Sequence, residues 1–205
     1  MHFFNTFCFF LCYLSLSTAV KSTASESPRE MHIRQNYRKE CEIAVNQQIT
    51  LELQAFHLYR RMAYYFDRSD VALRGFYKFF KKASSEELEH ADKLMEYQNK
   101  RGGDHPDVST CINIGEKPSQ QWNTVTEAME LALQKEKKIT KALLDLRQTA
   151  ETHSDPHLVD FIETDYLTEQ VESIKKLGDY VTTLKRVGSG LGEYMVDRQI
   201  EDDAE

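Results

Sequence analysis

The chain has 205 residues, and the roughly 185 that follow an apolar leader are the size of one domain with a sizeable core. Glycine (8) and proline (4) are scarce, so the composition favours helices over sheets and predicts an all-α fold. The formal net charge of −7 argues against binding of nucleic acid or an anionic membrane through bulk electrostatics, and it suits a soluble protein that attracts cations.

The first part of the chain, residues 1–19, has the character of a signal peptide. Residues 3–20 include no charged side chain, and small residues follow the apolar centre. The amino-terminal flank contains His2 but no lysine or arginine, so an uncleaved membrane anchor is the alternative. A cleaved leader predicts a secretory or extracellular location, a flexible polar arm over residues 20–33 and one domain over residues 34–205.

Four long segments with helical periodicity and a short fifth one follow the arm. Short connections join the first helix to the second and the third to the fourth, which predicts two antiparallel hairpins. Asp155 is placed to cap the fourth helix, with Pro156 in its first position. The predicted helices are Cys41–Phe66, Phe76–Lys100, Thr124–Ala150, Pro156–Leu184 and, after a break at Gly188-Ser189-Gly190, Leu191–Ile200.

A long connection, residues 101–121, separates the second helix from the third. A structureless loop of this length is unusual in a compact domain unless it runs the length of a helical bundle. The sequence therefore predicts a four-helix bundle with one long crossover.

Steps of three and four residues trace one mostly apolar face along each long helix. A carboxylate on such a face destabilises the fold unless it is paired or binds a metal. The faces are Ile49, Glu52, Phe56, Tyr59 and Ala63; Phe76, Phe80, Ala83, Glu87, His90, Leu94 and Tyr97; Val125, Met129, Ala132, Glu136, Ile139, Leu143 and Leu146; and Tyr166, Gln170, Ile174, Leu177, Val181 and Leu184.

The polar members of these faces meet near the middle of the bundle. The first hairpin sets Glu52 level with Glu87 and His90, and Glu136 is also central in its helix. Carboxylates from facing helices with a Glu-x-x-His pair are typical of di-iron carboxylate sites. Oxygen ligands with one imidazole favour iron over copper or a metal that prefers thiolates.

Each of these residues also has an ordinary explanation. A single glutamate on a helical face often reaches water at the rim, and a histidine in a core is often simply hydrogen-bonded. Tyr59 is either part of the core packing or a phenol beside a metal site. The coincidence of polar residues on three faces favours the metal site.

Short motifs after the leader carry a family resemblance. They are Arg34-Gln35-Asn36-Tyr37, Leu51-Glu52-Leu53, Tyr64-Tyr65-Phe66-Asp67-Arg68, Asp70-Val71-Ala72-Leu73, Glu86-Glu87-Leu88-Glu89-His90-Ala91, Gln98-Asn99-Lys100-Arg101-Gly102-Gly103, Asp155-Pro156-His157-Leu158 and Asp160-Phe161-Ile162-Glu163-Thr164. In this order they resemble animal ferritin heavy chains over essentially the whole remaining chain. The resemblance implies a ferritin-like four-helix bundle with a short fifth helix, assembled as a 24-subunit octahedral shell of one or two subunit types.

The same resemblance implies a ferroxidase centre that uses iron. Glu52, Glu87 and His90 are implied to bind the first Fe(II), and Glu87 to bridge to a second Fe(II) at Glu136. The implied reaction passes electrons to dioxygen and gives a bridged Fe(III) pair that moves to a mineral core. The other implied assignments are Gln170 near the second iron and its water or dioxygen, Glu86 as an alternate ligand, and Tyr59 as the family's site tyrosine.

Only one Glu-x-x-His pair is present, and Gln170 stands where a stronger ligand could be. We therefore expect the second iron to be held loosely, as suits a site that releases its product.

Two acidic groups outside the centre have both an ordinary and a family-based explanation. Asp160 and Glu163 either interact with the dipole at the start of the fourth helix or, by the resemblance, line channels that admit Fe(II). Glu86, Glu89 and Asp92 form either a solvated face or, by the resemblance, the surface that nucleates mineral.

The chain also departs from the family pattern. Arg147 and Gln199 stand where channel histidines are common, so channel properties transfer less directly than the oxidation centre. Residues 104–121 do not follow the common cytosolic pattern. Cys41 and Cys111 are either free thiols or a disulfide pair.

Two other functions compete with this interpretation. A secreted helical cytokine is also a four-helix bundle, but it typically has two long crossovers and needs no buried glutamates. A subunit that stores mineral without oxidising iron is the other alternative, and the presence of every first-site ligand argues against it.

Overall fold

The computed structural model describes residues 32–111 and 122–202, and these residues form five helices and one short 3-10 turn, Val108–Cys111. All five predicted helices are confirmed, with ends displaced by at most three residues. The predicted leader, most of the predicted arm and part of the crossover lie outside the described residues. The helices are α1 (Lys39–Phe66), α2 (Arg74–Arg101), α3 (Val125–Thr152), α4 (Pro156–Ile162, a π-helical turn Glu163–Leu167, and Thr168–Val187) and α5 (Leu191–Asp202).

Helices α1, α2 and α3 each have 28 residues, or about 42 Å, and contacts at their ends give their directions. Arg101 at the end of α2 donates from Nη2 to the carbonyl of Asn36, just before α1 (3.1 Å). The Asn36 amide donates to the carbonyl of Ser154, just after α3 (3.1 Å). Trp122, just before α3, packs on Tyr65 near the end of α1. Both α2 and α3 therefore run antiparallel to α1, and the predicted long crossover is confirmed.

The start of α4 is fixed by a buried carboxylate. Asp155 accepts a hydrogen bond from the backbone N–H of Leu158 (3.1 Å), and Pro156 occupies the first helical position. Arg101 donates to both oxygens of the same carboxylate, at 3.0 and 2.8 Å. Because Arg101 is the last residue of α2, this ion pair also fixes the register of α4 against α2.

The π-helical turn keeps one face of α4 directed at the core. Leu158, Ile162, Tyr166 and Gln170 are all buried and spaced by four residues. In a regular α-helix this spacing rotates successive side chains by about 40°, and the wider π turn offsets the rotation. As a result the Tyr166 hydroxyl reaches the carbonyl of His90 (3.0 Å), and Gln170 faces the bundle interior.

Helix α5 packs against the start of α2. The buried carboxylate of Asp197 accepts a hydrogen bond from the backbone N–H of Phe76 (2.9 Å). A Cβ atom at Gly75 would lie 1.9 Å from the carbonyl oxygen of Asp197, so this close approach requires glycine. Within the described part of the chain, no helix is long and apolar enough to cross a membrane.

Most of the predicted helix faces are buried in the core. Phe56, Ala83 and Ile174 are only half-buried, and Phe56 lies at the edge of the bundle with the Arg60 guanidinium over its ring. Cys41 is a buried free thiol. Of the two alternatives for Cys41 and Cys111, the structure therefore gives the free thiol at Cys41, and the side chain of Cys111 lies outside the described residues.

Candidate metal centre

Three predicted ligands converge in the middle of the bundle. Glu87 and His90, three residues apart, share one face of α2, and the antiparallel hairpin places Glu52 of α1 opposite them. One ligand atom from each of the three residues lies within 4.8 Å of the others, and all three residues are buried. This spacing suits three ligands that share one metal ion.

The inward atoms of these ligands have no hydrogen-bond partner within the described chain. They are Glu52 Oε2, Glu87 Oε2 and His90 Nδ1, and all three are buried. The separation between His90 Nδ1 and Glu87 Oε2 is 3.7 Å, which is too long for a hydrogen bond. A buried unpartnered polar atom costs about 1–3 kcal/mol, so three of them in one place favour a cation as their shared partner. Two carboxylates and one imidazole are suitable ligands for Fe(II).

The outward atoms of the same ligands are held by other side chains. Gln48 donates from Nε2 to Glu52 Oε1 (2.6 Å). His90 Nε2 lies 3.1 Å from Glu169 Oε2, and a carboxylate in this position accepts a hydrogen bond from the Nε2–H group. That arrangement leaves the Nδ1 lone pair free for a metal, as in many metal-binding histidines.

The second half of the centre is built around Glu136 of α3. The Tyr59 hydroxyl donates to Glu136 Oε1, and the Tyr59 ring also packs against Phe80 in the core. Thr140 donates to Gln170 Oε1 (3.3 Å) and to the carbonyl of Glu136 (2.9 Å). The two explanations of Tyr59 therefore both apply, because the side chain fills the core and contacts a candidate ligand.

Burial and mutual repulsion raise the pKa values of the carboxyl groups. Desolvation raises the pKa of Glu52 well above its usual value, the nearby charge of Glu87 raises it further, and the Gln48 hydrogen bond opposes the shift. Desolvation and then the charge of Glu136 raise the pKa of Glu87 well above its usual value. Desolvation also raises the pKa of Glu136. The metal-free centre therefore retains protons that a bound cation would displace.

A cavity of about 210 Å³ connects the centre to the surface between α2, α3 and α4. Its inner wall includes Tyr59, Glu87 and His90, and its apolar side includes Phe79 and Phe80. The mouth is charged and is formed by Lys82, Glu86, Glu169, Glu172 and Lys176. The volume exceeds that of a water molecule several-fold, so small molecules and ions can reach the buried ligands.

The predicted nucleation residues lie along α2 beside this mouth. Glu86 lines the cavity and pairs with Lys82 at 3.6 Å. Glu89 and Asp92 are exposed and do not line it. Glu86 therefore lies at the mouth of the cavity. The nucleating role of Glu86, Glu89 and Asp92 stays a prediction.

The predicted channel residues lie on the exposed side of α4, away from the cavity. Asp160 and Glu163 are both exposed. Arg147 donates from Nε to Glu163 and pairs through Nη2 with Glu151 at 3.0 Å. Within this subunit, an arginine therefore offsets the charge of one of the two predicted channel carboxylates.

Several residues at the centre were not predicted from the sequence. Gln48 lies four residues before Glu52, and this spacing could have identified it. Glu169 precedes Gln170, and Thr140 follows Glu136 by one turn. Lys135 is half-buried, and desolvation lowers its pKa. In the sequence it stands in the charged run Lys135-Glu136-Lys137-Lys138, which gives no signal of burial.

The chain is similar to known proteins along most of its length. A family model described as "Ferritin-like domain" matches residues 43–187. The chain is 53% identical to "Soma ferritin" of Lymnaea stagnalis over 167 residues, which cover 81% of this chain and 93% of the relative. It is 51% identical to "Ferritin-1 heavy chain" of Schistosoma mansoni over 166 residues, which cover 81% and 94%. It is 49% identical to "Ferritin, middle subunit" of Aquarana catesbeiana over 170 residues, which cover 81% and 94%.

The raised carboxyl pKa values predict how stability depends on pH. Between the usual glutamate pKa of 4.5 and the raised values, the native centre binds more protons than the unfolded chain, so metal-free stability falls as pH rises. The double variant Glu52→Gln, Glu87→Gln cannot ionise at these positions. We expect it to be more stable than the native chain at pH 7, with the difference shrinking toward pH 4.5.

Urea unfolding of metal-free protein at a series of pH values measures this difference. Glu96→Gln, at an exposed position of the same helix, is the matched control and should follow the native curve. A native-to-double-variant difference that does not change with pH would contradict the assigned pKa shifts.

Proposed function

The chain belongs to the ferritin family, and on that premise we propose that it is an iron-storage subunit with ferroxidase activity. The observation that carries the proposal is the convergence of three buried ligand atoms without partners, on Glu52, Glu87 and His90. Relatives of about half identity include one named as a heavy chain. A centre that only packed the core would not leave these atoms unpaired.

The substrates are Fe(II) and dioxygen. The first Fe(II) displaces protons from Glu52 and Glu87 and takes the Nδ1 lone pair of His90. The charge of Glu87 raises the pKa of Glu52, and the charge of Glu136 raises the pKa of Glu87. This proximity to both carboxyl groups supports a role for Glu87 as the bridge to a second Fe(II) at Glu136. Each Fe(II) gives one electron, so a pair reduces dioxygen by two electrons, and with two protons the dioxygen becomes hydrogen peroxide. Hydrolysis of the resulting Fe(III) ions then yields the product that is stored.

The second iron is expected to bind more weakly than the first. On its side of the centre the ionisable ligand is Glu136, and Tyr59 already donates to one of its oxygens. Gln170 offers a neutral amide oxygen that Thr140 also contacts. A weakly held ion leaves easily after oxidation, which favours release of product over retention as a cofactor.

A storage-only subunit remains the competing function. Such a subunit needs an acidic surface for mineral, such as the exposed Glu89 and Asp92, but it has no use for buried carboxylates. We propose that this chain has both features, with Glu86, Glu89 and Asp92 nucleating mineral. Membership of the ferritin family removes the helical cytokine from consideration.

The storage role requires an enclosed space, and we propose a 24-subunit octahedral shell, built from this chain alone or with a second subunit type. Large apolar side chains on α5 remain exposed in the isolated subunit: Leu191 at 75%, Tyr194 at 54% and Met195 at 58%. Apolar groups clustered in this way usually pack against a partner. Symmetric contacts between copies of the chain would cover them.

Iron is proposed to enter the shell past Asp160 and Glu163. Exposed carboxylates in a narrow opening concentrate cations. Arg147 opposes this effect, because its guanidinium pairs with Glu163. We also propose that the leader, residues 1–19, directs the subunit to the secretory pathway.

Removing two first-site ligands tests the oxidation centre. We expect Glu52→Ala with His90→Ala to slow aerobic Fe(II) oxidation by at least about 100-fold, because both sides of the first site are lost. The measurement is the absorbance of the ferric product after Fe(II) addition. Glu96→Ala, which removes an exposed carboxylate of α2, is the control. Equal rates in the native chain and the double variant would show that the assigned centre is wrong.

Assembly is tested by size-exclusion chromatography with light scattering. We expect a particle of 24 subunits, and we expect the double variant Leu191→Lys, Met195→Lys to give smaller species, because charge would enter an apolar contact. Lys185→Gln, an exposed change on α4, should leave the particle intact. A native chain that elutes as a stable monomer would contradict the shell.

The Arg147 ion pair predicts how iron uptake can be accelerated. We expect Arg147→Gln to increase the initial rate of Fe(II) oxidation several-fold at low ionic strength, because it frees the charge of Glu163. Arg147→Lys preserves the positive charge and is the control. The gain should disappear at high salt. A rate unchanged by Arg147→Gln at low ionic strength would rule out uptake past Glu163.

A further inference from the structure

We propose that Gln48 is a positioning residue that fixes the orientation of Glu52 for the first metal ion. The inference rests on the proposed function, since it concerns the same centre. It assigns a role to a residue that binds neither iron nor dioxygen.

The side chains of Gln48 and Glu52 are hydrogen-bonded to each other on α1. They are four residues apart and therefore lie on the same face of the helix, one turn from each other. The Gln48 Nε2 atom donates to Glu52 Oε1 over a short distance of 2.6 Å. Gln48 is 1% exposed and Glu52 is fully buried, so water cannot replace this hydrogen bond.

The other half of the Gln48 amide supports the same role. Its Oε1 atom is buried and has no hydrogen-bond partner in the described chain. An apolar side chain at this position would avoid that unfavourable burial. The contact that sets glutamine apart from leucine or methionine here is the one to Glu52.

Holding one oxygen of Glu52 decides what the other can do. A free carboxylate can rotate and present either oxygen, or both, to a metal. With Oε1 bound to Gln48, Oε2 is the free atom, and it belongs to the group that includes Glu87 and His90. Gln48 therefore pre-organises Glu52 as a ligand through one oxygen, which lowers the entropic cost of metal binding.

The equivalent contact on the imidazole side is less protected. Glu169 holds His90 Nε2, but its side chain is 50% exposed, so water can take its place at the cavity mouth. Gln48 and Glu52 do not line the cavity, so water has no comparable access to the hydrogen bond between them. Of the two supporting residues, Gln48 is thus the one whose hydrogen bond water cannot replace.

Cobalt(II) binding tests this role without turnover. We expect Gln48→Met and Gln48→Leu to weaken binding of Co(II) at the first site by about 10- to 100-fold, the usual effect of losing a residue that supports a metal ligand. The visible absorption of bound Co(II) reports both affinity and coordination. Gln54→Met, at an exposed position of the same helix, is the control and should bind as the native chain does.

A merely structural role would give a different result. We expect the melting temperature of the metal-free Gln48 variants to match that of the native chain. We also expect Fe(II) oxidation to need more Fe(II) for half-maximal rate while the maximal rate changes far less. Native Co(II) affinity in both variants, or loss of affinity only together with loss of folding, would overturn the role of Gln48.

Failure of the proposed centre is distinguishable from failure of this inference. If Glu52→Ala binds Co(II) as tightly as the native chain, the centre itself is wrongly assigned. If Glu52→Ala loses Co(II) while Gln48→Met keeps it, the centre stands and the inference about Gln48 is wrong.

Discussion

The constraint on which the structure depends is the burial of negative charge inside a helical bundle. Glu52, Glu87 and Glu136 are each at most 5% exposed, and in the absence of metal they carry raised pKa values because water is excluded and like charges are close. A bundle that only had to fold would place apolar residues there. The stability given up at these positions is recovered when a cation binds, so folding energy and metal affinity are linked at the same atoms.

The rest of the fold keeps these ligands in register. The antiparallel hairpin of α1 and α2 sets Glu52 opposite His90, and the Arg101–Asp155 pair fixes where α4 begins relative to α2. The π-helical turn then directs Gln170 inward. Each of these three features fixes the position of a helix along its axis. A shift of one residue would move a ligand by about 1.5 Å and turn it away from the centre.

Sequence patterns predicted the helices, the crossover and the inward ligands, because burial of a helix face leaves a periodic signal. They did not predict the residues that hold these ligands in place through hydrogen bonds. Gln48 and Glu169 are polar residues in polar surroundings of the sequence, and only their contacts distinguish them from solvated side chains. The π turn was also missed, since a continuous helix was predicted through residues 163–167, and its signal is a run of four-residue spacings that a regular helix also tolerates. The ion pair of Arg147 with Glu163 depends on the approach of α3 to α4, which periodicity does not give.

The cavity beside the centre gives access to the metal ligands from one face of the bundle. It opens between α2, α3 and α4, while α1 contributes Tyr59 to its lining and closes the opposite side. Ions that reach the centre through this cavity therefore arrive from one face of the bundle. In any closed assembly of such subunits, the way each bundle is turned decides whether its product is retained or lost, so orientation within the assembly is itself a determinant of storage.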